Sequence, residues 1–197
     1  MKREEKDGVI TFHAKSRDEW RRWLMEYHQT EKCVWLIIYR KESETPSVYY
    51  DEAVDEALCF GWIDSKPNKR DEESYFQFFS KRNPKSNWSK VNKIKVERLI
   101  SEGLMTDAGL EMIKLAKTTG TWTALDDVEN LVIPDDLLLL LNENQAALKY
   151  FEAFPPSVKR GILEWIQNAK RPETRAKRIM ETVTLAEKNI RANQYRK

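Results

Sequence analysis

The 197-residue chain sets 34 Lys and Arg against 32 Asp and Glu, for a formal net charge of +2, with 41% hydrophobic residues, 34% charged residues, 6 Gly and 7 Pro. That balance excludes collagen-like, low-complexity and disordered classes and supplies enough apolar side chains for a core without a disulfide or metal staple. The longest apolar runs, Val34 to Ile38 and Leu137 to Leu141, fall far short of the roughly 20 residues of a spanning helix. With the charged opening residues, they lead to the expectation of a cytoplasmic protein that does not insert into membranes.

An extended start at Val9 to Phe12 precedes Ser16 and Glu19, a Ser-x-x-Glu capping box. Trp20, Trp23, Leu24 and Tyr27 then recur at helical spacing, one apolar stripe on an otherwise charged helix. The run Cys33 to Tyr39 is β-branched and aromatic almost throughout, as a central strand covered on both faces would be. Tyr50 to Phe60 reads as a helix with Val54, Ala57 and Leu58 inward and Asp51, Glu52, Asp55 and Glu56 outward, closed by Gly61. Ile63 to Lys69 and Ser74 to Ser80 form a hairpin around a polar tip, with Tyr75, Gln77 and Phe79 facing one side and Phe76 and Phe78 the other.

From Lys85 onward the pattern is helical. Ser86 or Asn87 is placed to cap a helix running to Glu102, with Trp88 in its first turn, and Thr106 and Gly120 bound the next helix. Trp122 opens an acidic, irregular linker. Pro134 starts a leucine-rich helical stretch broken near Asn142 to Asn144, and two closing helices carry the stripes Val158, Ile162, Ile166 and Ile179, Val183, Ala186. The fold expected is α+β: a small antiparallel or mixed sheet with two helices over residues 1–84, a helical hairpin packed on the sheet over 85–120, and a helical C-terminal region over 121–197 ending in an antiparallel pair.

Charge is uneven along the chain: net −2 over residues 1–84, +3 over 85–120, −6 over 121–157 and +7 over 158–197. Such polarity calls for an intramolecular match or an anionic partner. Cys33 and Cys59 lie in apolar runs without a second pair, as reduced core thiols do. A dyad of Cys59 with His28 can be drawn, but Cys59 sits between Leu58 and Phe60, where burial is the expectation.

Four stretches, Tyr50 to Asp64 (YDEAVDEALCFGWID), Pro84 to Asn92 (PKSNWSKVN), Gly103 to Gly109 (GLMTDAG) and Ala169 to Ile179 (AKRPETRAKRI), together resemble the YdeI/OmpD-associated, bacteriocin-protection family. The resemblance spans residues 30 to 190, with Ser65 standing where the family usually carries Gly. It implies a setting in bacteriocin and envelope stress and brings no catalytic residues with it.

No phosphate loop, His-Glu-x-x-His or nucleophile elbow appears in the chain. The residues therefore point to a non-catalytic binding or adaptor protein whose partner is a protein or a small ligand, with no cofactor, metal or catalytic residue to nominate. Two groups are candidates for binding. Trp62, Asp64, Arg70, Arg82, Trp88 and Asn92 offer an arginine for an anion, an aromatic wall and polar groups to orient a ligand, which is the alternative of a small-anion sensor or enzyme. The competing reading has Asp64 and an arginine as an ion pair tying the sheet to the next helix, with Asp64 and Arg82 side by side where the hairpin strands meet. Arg171, Arg175 and Arg178 fall on one face of the last helix as a cationic ridge suited to an anionic surface, although the acidic stretch before it favours intramolecular pairing and makes nucleic acid the lowest-ranked partner.

Overall fold

The computed structural model describes residues 5–194. The chain divides into two compact units, Met1–Thr123 and Ala124–Lys197.

The first unit is built on a sheet of five strands: β1 (Glu5–Lys6), β2 (Val9–His13), β3 (Cys33–Tyr39), β4 (Trp62–Lys69) and β5 (Ser74–Lys81), in the order β1-β2-β3-β5-β4. β2 and β3 are parallel and are connected through α1 (Arg17–Tyr27), whereas the β3–β5 and β5–β4 pairs are antiparallel, so the sheet is mixed. β3 lies at the centre and is buried on both faces, as its unbroken apolar run requires. Val34, Leu36 and Ile38 enter the main core, and Trp35 and Ile37 join Phe76 in a smaller cluster. At the outer edge of the sheet β4 carries Lys66, Pro67 and Lys69, all exposed, which deny the open edge to another strand. The ladder slips between Asp64 and Pro67, and the amide of buried Gln77 donates to Ser65 O at 2.8 Å across that irregularity. Ser65 is not in the positive-φ region, so the backbone there does not need a glycine.

Helix α1 starts where the capping box placed it: Ser16 Oγ accepts the Glu19 amide, and Glu19 Oε2 accepts the Lys15 amide at 2.7 Å. Its stripe of Trp20, Trp23 and Leu24 is buried. α2 (Tyr50–Cys59) departs from the sequence expectation at two positions: Asp55 and Glu56 are not outward but buried, at 6% and 1% exposure. Each is neutralised from a neighbouring helix. Glu56 receives Arg17 and Arg21 of α1, both at 2.6 Å. Asp55 receives Lys95 at 2.8 Å together with Arg98, both from α3 (Lys90–Ser101). Buried carboxylates are tolerated when paired in this way.

α3 also begins later than the sequence suggested. Ser89, not Ser86 or Asn87, accepts the Asn92 amide, so Trp88 precedes the helix and its own amide bonds Thr121 O at 3.1 Å. α4 (Asp107–Thr119) packs against the C-terminal end of α2 at very close range. There the Cys59 carbonyl accepts both the Thr106 amide, at 3.1 Å, and the Thr106 hydroxyl, at 2.6 Å. A Cβ on Gly109 would lie 2.4 Å from that same oxygen, and Gly61, at φ +73°, would place a Cβ 3.1 Å from Ala108 O.

The second unit consists of α5 (Asp126–Glu129), a short helix within the stretch read as a linker, then α6 (Asp135–Glu143), α7 (Gln145–Ala153), α8 (Pro156–Gln167) and α9 (Pro172–Ala186). The break at Asn144 falls as read, its side chain accepting the Ala147 amide. α9 packs against α6, α7 and α8 around Leu137, Leu141, Phe151, Ile162, Ile166 and Ile179.

The glycines supply a paired test. Gly109→Ala drives a methyl group into backbone and is expected to lower stability by about 1 to 3 kcal/mol. Gly161→Ala, in the middle of α8 with nothing within 4 Å of the new atom, is expected to raise it by about 0.5 to 1 kcal/mol. Urea denaturation of both variants checks the difference, and equal effects would contradict it.

Candidate functional site

Asp64 and Arg82 start from opposite strands of the β4–β5 hairpin but find different partners. Asp64, paired with Phe79 in the ladder, accepts a hydrogen bond from the Tyr50 hydroxyl at 2.7 Å. Burial, and then the bond to Asp64, push the Tyr50 phenol upward. The expected Asp64–arginine clasp is therefore replaced by a carboxylate–phenol bond from the sheet to the start of α2. Arg70 lies at the tip of the hairpin, where Nη1 donates to the Tyr39 hydroxyl at 3.3 Å and to Ser74 Oγ at 3.1 Å and its guanidinium lies over Phe76. Asn92 stands in the first turn of α3. Neither Asp64, Arg70 nor Asn92 lines the cleft that Arg82 borders.

Arg82 is the unusual residue. Just past β5, its amide bonds Gly61 O at 3.0 Å, and its side chain turns under Trp88, with the guanidinium carbon 3.9 Å from the ring centroid. Nη2 donates to Asn87 O at 2.6 Å. Nε is buried without a hydrogen-bond partner, and no carboxylate pairs with the group among the described residues. Only 5% of the residue is exposed, and burial pushes its pKa down to about 10, still well above neutrality. Trp88, itself buried and tilted against Trp122 at 5.1 Å, forms the fixed plane on which this charge rests.

Arg82 borders a surface cleft of about 650 Å³. Its apolar walls come from Phe60, Trp62, Pro84, Ala108 and Met112, drawn from the α2–β4 junction, the turn after β5, and α4. Trp62 is anchored by its indole donating to His28 O at 3.3 Å. The polar lining is Lys81, His28, Gln29 and Glu111 beside Arg82. Lys81 Nζ is held on Gln29 O at 2.7 Å. His28 Nδ1 lies 2.8 Å from Leu24 O; a carbonyl only accepts, so Nδ1 carries a proton. Of the six residues grouped from the sequence, Arg82 and Trp62 share the cleft lining, and Trp88 lies against Arg82 without lining the cleft. His28, Lys81, Phe60, Ala108, Glu111 and Met112 were missed as lining: the last three enter only through α4, and the first three are brought beside Arg82 by separate elements whose convergence no local spacing records.

Cys59 is fully buried, and burial, followed by the charge of Glu56, pushes its thiol up to about 11, the opposite of what thiolate chemistry requires. Among the described residues no cluster of His, Cys, Asp and Glu is arranged to hold a metal ion. The C-terminal ridge is largely occupied within its own unit. Arg175 forms a two-pronged pair with Asp136, at 2.6 and 2.9 Å, and holds that carboxyl below its usual range. Arg178 donates to Trp165 O and lies over the Trp165 ring. Arg171, exposed at the start of α9, remains on the surface, so the three do not form one free cationic face.

The chain is thus a two-part protein, a mixed α+β sheet unit with an arginine-bordered cleft followed by a helical unit. Comparison with known families gives each part a match: residues 12–112 to a domain of unknown function, DUF8412, and residues 130–189 to the family described as bacteriocin-protection, YdeI or OmpD-associated. The first match covers just over half of the chain, so the protein belongs to the DUF8412 family, and its second part carries the YdeI/OmpD-associated segment that the sequence resembled. Of the four motif stretches, Ala169 to Ile179 lies in that segment and the other three lie in the first match. Searches of curated proteins and of solved structures found no match. No helix among the described residues is long and apolar enough to cross a membrane.

The state of Arg82 has a measurable consequence. Burial of its charge costs stability, while the Trp88 contact and the Asn87 hydrogen bond offset that cost. Arg82→Met should therefore change stability by less than about 1.5 kcal/mol, whereas Glu56→Ala, which strands two arginines, should cost about 3 kcal/mol. Chemical denaturation of both variants tests this; an Arg82→Met loss as large as that of Glu56→Ala would make Arg82 a structural clasp.

Proposed function

We propose that this is a non-catalytic binding protein of the cytoplasm that takes part in bacteriocin and envelope-stress protection through a small anionic ligand held in the Arg82 cleft. The observation that carries this reading is the buried, uncompensated guanidinium at the edge of a cavity of ligand size. Unlike Arg17 and Arg21, which share Glu56, Arg82 meets no carboxylate among the described residues, and an anion in the cleft would complete it. The setting is taken from the bacteriocin-protection description of the family matched over residues 130–189. The two unbridged cysteines suit a reducing compartment.

A survival assay tests this reading. Cells lacking the protein should be more sensitive to a bacteriocin, and wild-type protein should restore resistance where an equally abundant Arg82→Met variant does not. Full restoration by the variant would overturn the role given to the cleft.

A further inference from the structure

Three features of the cleft restrict what it can hold. The first is charge. Apart from His28, the charged side chains of its lining are Lys81, Arg82 and Glu111; these three leave one net positive charge, which matches a monoanion. A dianion would leave one negative charge uncompensated and would face Glu111 as a repulsive neighbour. The second is the donor. Lys81 and Arg82 are each held on a backbone carbonyl, Gln29 O and Asn87 O, and neither meets a carboxylate among the described residues; Arg82 is the buried one of the two, with Nε unpartnered, and the planar donor array of its guanidinium matches a carboxylate. Its stacking on Trp88 fixes the plane of that array before any ligand arrives. The third is the wall. Phe60, Trp62, Pro84, Ala108 and Met112 make most of the remaining lining apolar, which favours a ligand body that gains by leaving water.

We infer that the cleft takes a monocarboxylate with an apolar body, of which an aromatic carboxylate is the simplest form. This rests on the cleft being the binding site proposed above. The carboxylate faces Arg82, and the ring lies between Phe60 and Met112. Glu111, exposed on α4, acts as a selectivity residue by excluding anions of higher charge.

The test is titration of the isotope-labelled full-length protein, followed by NMR, with benzoate, benzamide and inorganic phosphate at near-neutral pH. Benzoate should shift the amides of Gly61, Trp62, Arg82 and Met112 saturably, with an affinity at least about tenfold above that of benzamide, its uncharged isostere. Arg82→Met, shown to be folded by its unchanged spectrum elsewhere, should abolish the shifts, and Glu111→Gln should tighten benzoate several-fold and admit phosphate. If phosphate binds the wild-type cleft and benzoate does not, the carboxylate class is overturned while the anion site stands. Equal binding of benzamide and benzoate would also overturn the class, by removing charge from the recognition. If neither anion shifts these amides, the cleft is not an anion site and the proposed function falls with the ligand class.

Discussion

The Cys59 carbonyl, at the last residue of α2, is the point on which the sheet unit depends. It takes two hydrogen bonds from Thr106 and is approached so closely by Gly109 that no side chain fits between them. That contact fixes α4 against the α2–β4 junction. Gly61 follows in the left-handed conformation with Ala108 and Met112 against it, and its carbonyl receives the Arg82 amide from the neighbouring strand. One face of the cleft is thus set by α4 and the other by the strand ends, and both are referenced to a few consecutive backbone groups. The stretches Phe60 to Asp64 and Gly103 to Gly109 are two halves of one joint.

Buried charge in this unit is handled in two ways. The acidic pair on α2 is partnered on both sides: Glu56 by α1, and Asp55 by α3. Arg21 extends the first of these connections by donating to Leu104 O at 2.8 Å, which ties α1 to the loop before α4. Such networks gain less from Coulomb attraction than they forfeit if one member is removed, so they specify how helices sit more than they add to stability. Arg82 has no such partner. A protein that matches its other buried charges so closely and leaves one unmatched beside a cavity has concentrated a burial cost where a ligand can relieve it.

Much of the fold was legible because it depends on short-range chemistry. The Ser16 cap, the both-sides-buried run Cys33 to Tyr39, the facing of Gln77 and Phe79 against Phe76 and Phe78, and the break at Asn144 all follow from period and capping. Asp55 and Glu56 were misread because acidic residues at helical spacing look the same whether they meet water or an arginine from another helix. The Asp64 reading went astray for a related reason: hairpin geometry brings strand ends together, but the side-chain partner came from Tyr50, on an element that the hairpin pattern does not describe. Of the cleft, Arg82 and Trp62 were visible as unusual residues close in sequence, as was Trp88, which supports Arg82 from outside the lining. Ala108, Glu111 and Met112 were not, since nothing in α4 marks it as a cavity wall until Gly109 is seen against Cys59.

If the Cys59 joint holds the unit together, the amide of Thr106 should be as protected as the core of the sheet, even though it lies at the start of a helix, where amides ordinarily exchange by fraying. Native-state hydrogen exchange of Thr106, compared with Leu36 in β3 and Arg82 beside Gly61, measures this directly. Exchange of all three with the free energy of global unfolding is the predicted result. A Thr106 amide that exchanges by local opening while Leu36 and Arg82 stay protected would show that α4 comes away without disturbing the sheet, and that the joint is not what shapes the cleft.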